Sequence, residues 1–150
     1  MLALVITIYI LILSSNFVLQ KIFPNNQTLY DTLVKSQYNP PNYIFPIIWL
    51  LLYLIISYSY AQSYTYSYGS TLFYVWTLHI ILNIIWSPIF FHFENPSLSL
   101  IVIGSMIGTL AYILYNYYDT KNVVLFWLNI IYLIWLTFAF YLNFYVVVHN

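Results

Sequence analysis

Four residues that can stack or hydrogen-bond recur on one predicted helical face, inside a stretch that is otherwise almost wholly apolar. They are His79, Asn83, Trp86 and Phe90, at positions i, i+4, i+7 and i+11. Residues at this spacing lie on one side of an α-helix. A polar group inside an apolar helix is costly unless it is paired or faces a cavity. The stripe therefore predicts either a hydrogen-bonded contact between helices or one wall of a binding pocket.

Two further stripes of aromatic residues have the same helical spacing. They consist of Phe45, Trp49, Tyr53 and Ile56 in one segment, and of Tyr132, Trp135, Ala139 and Asn143 in another. Pockets for small ligands are mostly hydrophobic, with a few polar groups that fix orientation, so the three stripes favour a site for a flat, apolar ligand. Aromatic residues make up 23% of the chain, so ordinary helix packing is the alternative interpretation.

The residues that could support catalysis or bind metal are few and scattered. Asp31, Glu94 and Asp119 fall in predicted loops far apart in the sequence, and the chain has no cysteine. His79 is compatible with an iron ligand, but a hydrogen-bonded position inside a helix bundle is the favoured interpretation of a lone histidine. We therefore predict no catalytic residue and no metal site, and the sequence gives little support to enzyme chemistry.

The composition identifies lipid as the main solvent of this protein. Hydrophobic residues make up 63% of its 150 residues, and charged residues only 4%. A soluble domain carries roughly a quarter charged residues, so this chain cannot cover a water-exposed surface. The net charge is zero, and without a basic patch a nucleic-acid partner is not expected.

Five segments are long and apolar enough to cross a membrane as helices. They cover about residues 2–23, 43–61, 71–91, 98–118 and 123–148. None shows the alternation of a membrane β-barrel strand, and the first lacks the basic start and cleavage site of a signal peptide. The sequence predicts an all-α membrane protein, a single-domain bundle of five transmembrane helices. The loop at residues 24–42 is a candidate lid.

Three motifs, in this order, resemble the tryptophan-rich sensory protein family, also called translocator proteins or peripheral-type benzodiazepine receptors. The first is "YDTLVKSQYNPPNYIFPIIWLLLY", the second "LNIIWSPIFF" and the third "YLIWLTFAFYLN". The chain departs from the family pattern at Leu29 and Tyr43, which replace tryptophans, and at His79, which replaces a glutamine. No Lys or Arg follows Tyr145, where the sterol motif of animal members has a basic residue.

The resemblance implies a five-helix membrane protein, usually a homodimer, that binds porphyrins, haem and related tetrapyrroles without an obligatory cofactor. Sterols and isoquinoline carboxamides are the further ligands it implies. It places the pocket among the first, second, third and fifth helices, under the first loop. The implied lining consists of Tyr30, Pro41, Trp49, Asn83, Trp86, Trp135 and Ala139, to which the helical stripes add Tyr53 and His79.

Two other functions remain open at this stage. Some bacterial members of the family are reported to break down porphyrin in light through tryptophan chemistry, which makes photo-oxidative degradation the main alternative. A membrane protein that only binds a protein partner, with its pocket collapsed, is a third interpretation of the same five helices.

Overall fold

The structure is a computed structural model that describes the backbone of all 150 residues and every side chain except those of Gln27 and Leu29. Its helices are α1 (Leu2–Ile22), α2 (Gln27–Thr32), α3 (Ile44–Tyr66), α4 (Thr71–Ser87), α5 (Pro96–Asp119) and α6 (Val123–His149), and a π-helical turn (Pro88–His92) extends α4. The described backbone contains no β-strand. Five helices are long and apolar enough to cross a membrane, which confirms the predicted fold class.

Side-chain caps fix the start of three of the spanning helices. Ser70 accepts a hydrogen bond from the Phe73 amide at α4, and Asn122 caps α6 through the Leu125 amide. Asn95 accepts from the Leu98 amide, and Pro96 occupies the first turn of α5, where its missing N–H costs nothing. This cap places the start of α5 at Pro96, slightly before the predicted start near residue 98.

Helix α3 ends at Tyr66, whereas the tyrosine- and serine-rich segment after residue 61 suggested an earlier end. A contact with α4 and a local hydrogen bond accompany this extension. The Tyr64 ring lies 6.0 Å from the Phe73 ring of α4, and the Thr65 hydroxyl donates to the Ala61 carbonyl of its own helix. The chain then turns at Gly69, whose φ of +76° suits a residue without a Cβ.

The π-helical turn at the end of α4 follows from Pro88. Proline has no amide hydrogen, so the normal helical hydrogen bond cannot form at this position. The backbone widens instead, and the Phe93 amide donates to the Pro88 carbonyl at 3.0 Å. The sequence pattern gave no indication of this widening, which sets the direction of the aromatic rings of Phe90 and Phe91.

The five spanning helices form a closed bundle. Helix α1 packs against α3 and α4, α3 also packs against α4 and α6, and α5 fills the remaining side between α4 and α6. The buried core includes Ile56 of α3, Met106 and Leu110 of α5, and Leu136 of α6. At the end of the bundle where the α1–α3 connection lies, all five spanning helices contribute to the wall of the interior.

Gly104 and Gly108 of α5 have the spacing of a small-residue pair that favours close approach of helices, and Gly104 faces α6. A Cβ on Gly104 would lie 3.6 Å from the Phe140 ring of α6, an ordinary van der Waals distance, so α5 and α6 pack here within one chain without requiring glycine. Gly108 is exposed. A Cβ on Gly108 would have no atom of another described helix within 4 Å.

Candidate ligand-binding site

A cavity of about 480 Å³ lies inside the bundle, beneath the connection between α1 and α3. Its walls are mostly apolar and aromatic, with several side-chain amides. It is lined by Asn16 and Gln20 of α1, Asn25, Tyr30, Asn39 and Asn42 of the connection, Phe45, Pro46, Trp49, Leu50 and Tyr53 of α3, Asn83, Trp86, Ser87, Phe90 and Phe91 of α4 and its π turn, Ile103 and Met106 of α5, and Ala139, Leu142, Asn143 and Val146 of α6. This volume is in the range of sites for small organic ligands, roughly 300–1,000 Å³.

Most of the residues expected from the sequence lie together on this cavity. Those that line it are Tyr30, Trp49, Tyr53, Asn83, Trp86 and Ala139. The Trp49 ring lies against Tyr53 with centroids 5.6 Å apart, and Trp86 stacks on Phe90 at 5.4 Å. These pairs place aromatic rings on two walls of the cavity, one on α3 and one on α4 with its π turn.

His79 does not line the cavity, contrary to the expectation from its stripe. It lies one helical turn before Asn83, where its side chain is fully buried. Its Nδ1 is 2.7 Å from the Thr109 hydroxyl and its Nε2 is 2.8 Å from the Tyr132 hydroxyl. Because both ring nitrogens are engaged, the interpretation as a hydrogen-bonded bundle residue fits the structure and an iron ligand does not.

Pro41 and Trp135 also lie away from the lining. Pro41 is exposed, and its carbonyl accepts a hydrogen bond from the Ile44 amide at the start of α3. Trp135 packs against Phe45 and Phe138, with ring centroids 6.0 and 5.6 Å away. Trp135 therefore lies behind Phe45, which lines the cavity. On α6 the wall is formed by Ala139, one turn further along the helix.

Several lining residues were not expected from the sequence. Asn16 and Gln20 on α1 are polar residues at i and i+4 within an apolar span, and this spacing was a usable signal. Ile103 and Met106 of α5 gave no such signal, because apolar residues in a spanning helix look alike whether they face lipid, the core or a cavity.

One edge of the α1–α3 connection is attached to the end of α4. The Asn26 amide donates to the Phe91 carbonyl at 3.2 Å, and the Asn26 side chain donates to Glu94 at 2.7 Å. The Tyr30 ring, at the end of the same segment, lies 5.3 Å from the Phe91 ring. The connection therefore covers the cavity on the α4 side.

The other edge of the connection is attached to the end of α6. The Asn150 side chain accepts from the Val34 amide at 2.9 Å and donates to the Val34 carbonyl at 3.2 Å. The hydroxyls of Ser36 and Tyr141 are 3.0 Å apart. With both edges attached, residues 24–42 cover the cavity; that they move as a lid stays a prediction.

A positive charge lies at the edge of the cavity. The Lys35 ammonium is 4.2 Å from the centroid of the Tyr30 ring and 3.8 Å from Asp31, which is largely exposed. Burial raises the pKa of Tyr30, and the hydrogen bond to Asn39 offsets this only in part, so the phenol stays protonated at neutral pH. The cavity edge therefore offers a cation and a hydroxyl beside an aromatic surface.

Asn143 connects three helices at the cavity wall. Its side-chain oxygen is 3.3 Å from the Trp86 indole nitrogen and 2.9 Å from the Ser99 hydroxyl, and its amide donates to the Pro96 carbonyl at 2.9 Å. Asn143 is almost fully buried, at 2% exposure. These bonds hold the Trp86 ring in place on the wall.

Among the described residues, no three His, Cys, Asp or Glu side chains lie close enough to hold a metal ion. What the cavity offers is aromatic surface, amides and, at its edge, one ammonium group. These groups suit the binding of a flat, largely apolar molecule. The fold and the cavity together define a class, a five-helix integral membrane protein with an internal aromatic cavity.

Comparison with known proteins places the chain within this class. The sequence profile described as the TspO/MBR family matches residues 2–149. The "Tryptophan-rich sensory protein" of Cereibacter sphaeroides is 31% identical over 117 residues, which cover 77% of this chain and 72% of that protein. The "Tryptophan-rich protein TspO" of Bacillus cereus is 30% identical over 131 residues, covering 85% and 84%. "Protein CrtK" of Rhodobacter capsulatus is 32% identical over 127 residues, covering 77% and 74%.

The chain belongs to the TspO/MBR family, as its three motifs predicted. The match extends over nearly the whole chain, so the family membership applies to the entire five-helix bundle and not to one motif. The protein is accordingly an integral membrane protein with several spanning helices.

Proposed function

We propose that this protein binds porphyrins or related tetrapyrroles in the cavity beneath the α1–α3 connection and acts in sensing or transport of these molecules. The name of the C. sphaeroides relative describes a sensory protein, which supports a role of this kind. The observation that carries the proposal is the cavity itself, which brings aromatic rings and amide side chains together in the interior of the bundle.

The geometry supports a tetrapyrrole in two ways. The Trp49–Tyr53 and Trp86–Phe90 pairs offer ring faces on two different helices, and a flat macrocycle stacks on such faces. The cavity edge carries Lys35 over the Tyr30 ring, where a carboxylate of the ligand would find a positive charge. The macrocycle would then lie in the apolar interior with its acidic groups directed to the membrane surface.

Replacement of Trp49 tests the proposal against a matched control. We expect Trp49→Leu to weaken protoporphyrin binding by about 3- to 10-fold, the equivalent of one lost aromatic contact of about 0.5–1.5 kcal/mol. Trp127→Leu makes the same change at a residue that is 61% exposed on the outside of α6, and its affinity should equal that of the wild type. Affinity is read from the porphyrin absorption band in nanodiscs. Equal affinities of Trp49→Leu and wild type would count against binding in this cavity.

We further propose a homodimer, with sterols and isoquinoline carboxamides as secondary ligands, on the basis of family membership. The exposed glycine Gly108 on α5 leaves room for close approach of a second helix. The mass of the protein particle in nanodiscs checks the assembly, since a single chain per particle at every protein concentration would contradict it.

A further inference from the structure

A chain of hydrogen bonds leads from the backbone of α5 to the cavity. The Thr109 hydroxyl oxygen lies 2.9 Å from the Met106 carbonyl oxygen and 2.7 Å from His79 Nδ1. His79 Nε2 lies 2.8 Å from the Tyr132 hydroxyl, and the Asn83 side-chain amide lies 3.3 Å from the same hydroxyl. Of the four side chains in this series of hydrogen bonds (Thr109, His79, Tyr132 and Asn83), that of Asn83 lines the cavity.

The backbone of α5 sets the direction of this chain. A carbonyl oxygen only accepts, so the short contacts of Thr109 with its own helix, to Met106 at 2.9 Å and Ser105 at 3.1 Å, are hydrogen bonds only when its single proton points to one of these carbonyls. The Thr109 oxygen can then only accept from His79. The proton of the neutral imidazole therefore lies on Nδ1, and Nε2 is left as an acceptor.

The remaining steps follow from this tautomer. Tyr132 donates its hydroxyl proton to Nε2, and its oxygen accepts from the Asn83 amide nitrogen. An imidazolium would donate from both ring nitrogens, so Nε2 could no longer accept the Tyr132 proton. The chain thus fixes which end of the Asn83 amide contacts Tyr132.

We propose that His79 is a positioning residue that makes the cavity wall present a hydrogen-bond acceptor, the Asn83 Oδ1, to the ligand. None of the described side chains donates a hydrogen bond to this oxygen. It is not among the buried unpaired atoms of the core, such as Asn129 Oδ1, and the Asn83 side chain lines the cavity. The ligand class it selects is a flat, apolar molecule with a ring N–H or O–H donor. This inference rests on the proposed function and specifies the chemistry of the same site.

If the hydrogen bonds ran in the opposite direction, the cavity wall would present a donor and not an acceptor. If Thr109 donated to Nδ1, then Nε2 would donate to Tyr132, Tyr132 would donate to Asn83, and the cavity would present an N–H group. That arrangement would leave the Thr109 oxygen 2.9 Å from the Met106 carbonyl with no proton between them. The two arrangements differ in the position of one proton on His79.

The tautomer is measured by nitrogen NMR of ligand-free, ¹⁵N-histidine-labelled protein in nanodiscs. The His79 signal is the one lost in His79→Gln, and we expect Nδ1 to carry its proton. Thr109→Val removes the constraint on direction, so the second tautomer should appear. Thr137→Val is the matched control, because Thr137 is exposed on α6 and bonds only the Leu133 carbonyl. A proton on Nε2 in the wild type, or a pure Nδ1–H signal in Thr109→Val, would overturn the proposal.

The ligand class is measured with carbazole and N-methylcarbazole, two flat probes that differ by one N–H donor. We expect the wild type to bind carbazole about 3- to 10-fold more tightly, the usual range for one hydrogen bond. The ratio should fall toward one in Thr109→Val and persist in Thr137→Val. It should also persist in His79→Gln, because a glutamine amide can donate to Thr109 and accept from Tyr132.

The outcomes separate this inference from the proposed function. Equal binding of both carbazoles by the wild type, or binding of neither while protoporphyrin binds, contradicts the donor-bearing ligand class. If protoporphyrin fails to bind while carbazole still binds more tightly than N-methylcarbazole, the tetrapyrrole proposal fails. The inference that the cavity wall presents a hydrogen-bond acceptor is then still supported.

Discussion

Ala139→Phe is expected to reduce protoporphyrin affinity by about 10- to 100-fold, the equivalent of about 1–3 kcal/mol for forcing a ring into occupied space. Ala139 is a small residue on the α6 wall, and its side chain is directed at the same space as the rings of Trp49 and Trp86. A phenyl ring at this position would occupy part of the 480 Å³ that the ligand requires. Binding is measured by titration in nanodiscs at constant lipid.

The same substitution should leave the fold intact, because the added ring enters an existing cavity and not a packed core. Ala111→Phe is the control, since Ala111 is exposed on α5 and the ring would extend into lipid. We expect both variants to melt within a few degrees of the wild type. Undiminished porphyrin binding by Ala139→Phe would show that the ligand occupies another part of the molecule.

Asn143→Leu is expected to have the largest effect on stability, lowering the free energy of unfolding by about 1–3 kcal/mol. The substitution leaves the Trp86 indole N–H without its acceptor and removes the bond to the Pro96 carbonyl. The Asn143 side chain is only 2% exposed, so little room is left for another partner to take over these bonds. The melting temperature should fall by several degrees, and porphyrin binding should weaken because Trp86 loses its fixed orientation.

Asn116→Leu makes the same chemical change at a site where little should follow. The Asn116 side chain donates only to the Tyr112 carbonyl of its own helix, four residues earlier. A melting temperature equal to that of the wild type is expected for this variant. If both leucine variants lose the same stability, Asn143 does not connect the helices in the manner described.

The number of spanning helices could be predicted because it depends on the length and apolar character of each segment. The end of α3 could not, since the segment after residue 61 is rich in tyrosine and serine, and the contact of its Tyr64 ring with Phe73 of α4 is not visible in a local pattern. The short helix α2 was also missed. Its conformation depends on packing against the π turn, which a local sequence pattern does not show.

A polar residue in an apolar span predicts a polar environment, but it does not tell whether that environment is the cavity or another helix. Asn83 is polar in an apolar span and lies on the cavity, but His79, on the same stripe, is bonded to other helices. Both residues satisfy the same rule that polar groups in a membrane need partners, and only the packing of α5 and α6 decides which partner each obtains. Ile103 and Met106 show the converse, because apolar residues on a wall carry no local signal.

The most direct test of the proposed binding site is a titration of the wild-type protein with protoporphyrin in nanodiscs, with empty nanodiscs as the reference. Energy transfer from tryptophan to the porphyrin reports proximity, because Trp49 and Trp86 lie on the cavity wall. We predict a saturable signal with one porphyrin per chain that Ala139→Phe weakens. A signal that rises without saturation, as in the empty nanodiscs, would contradict the proposed function.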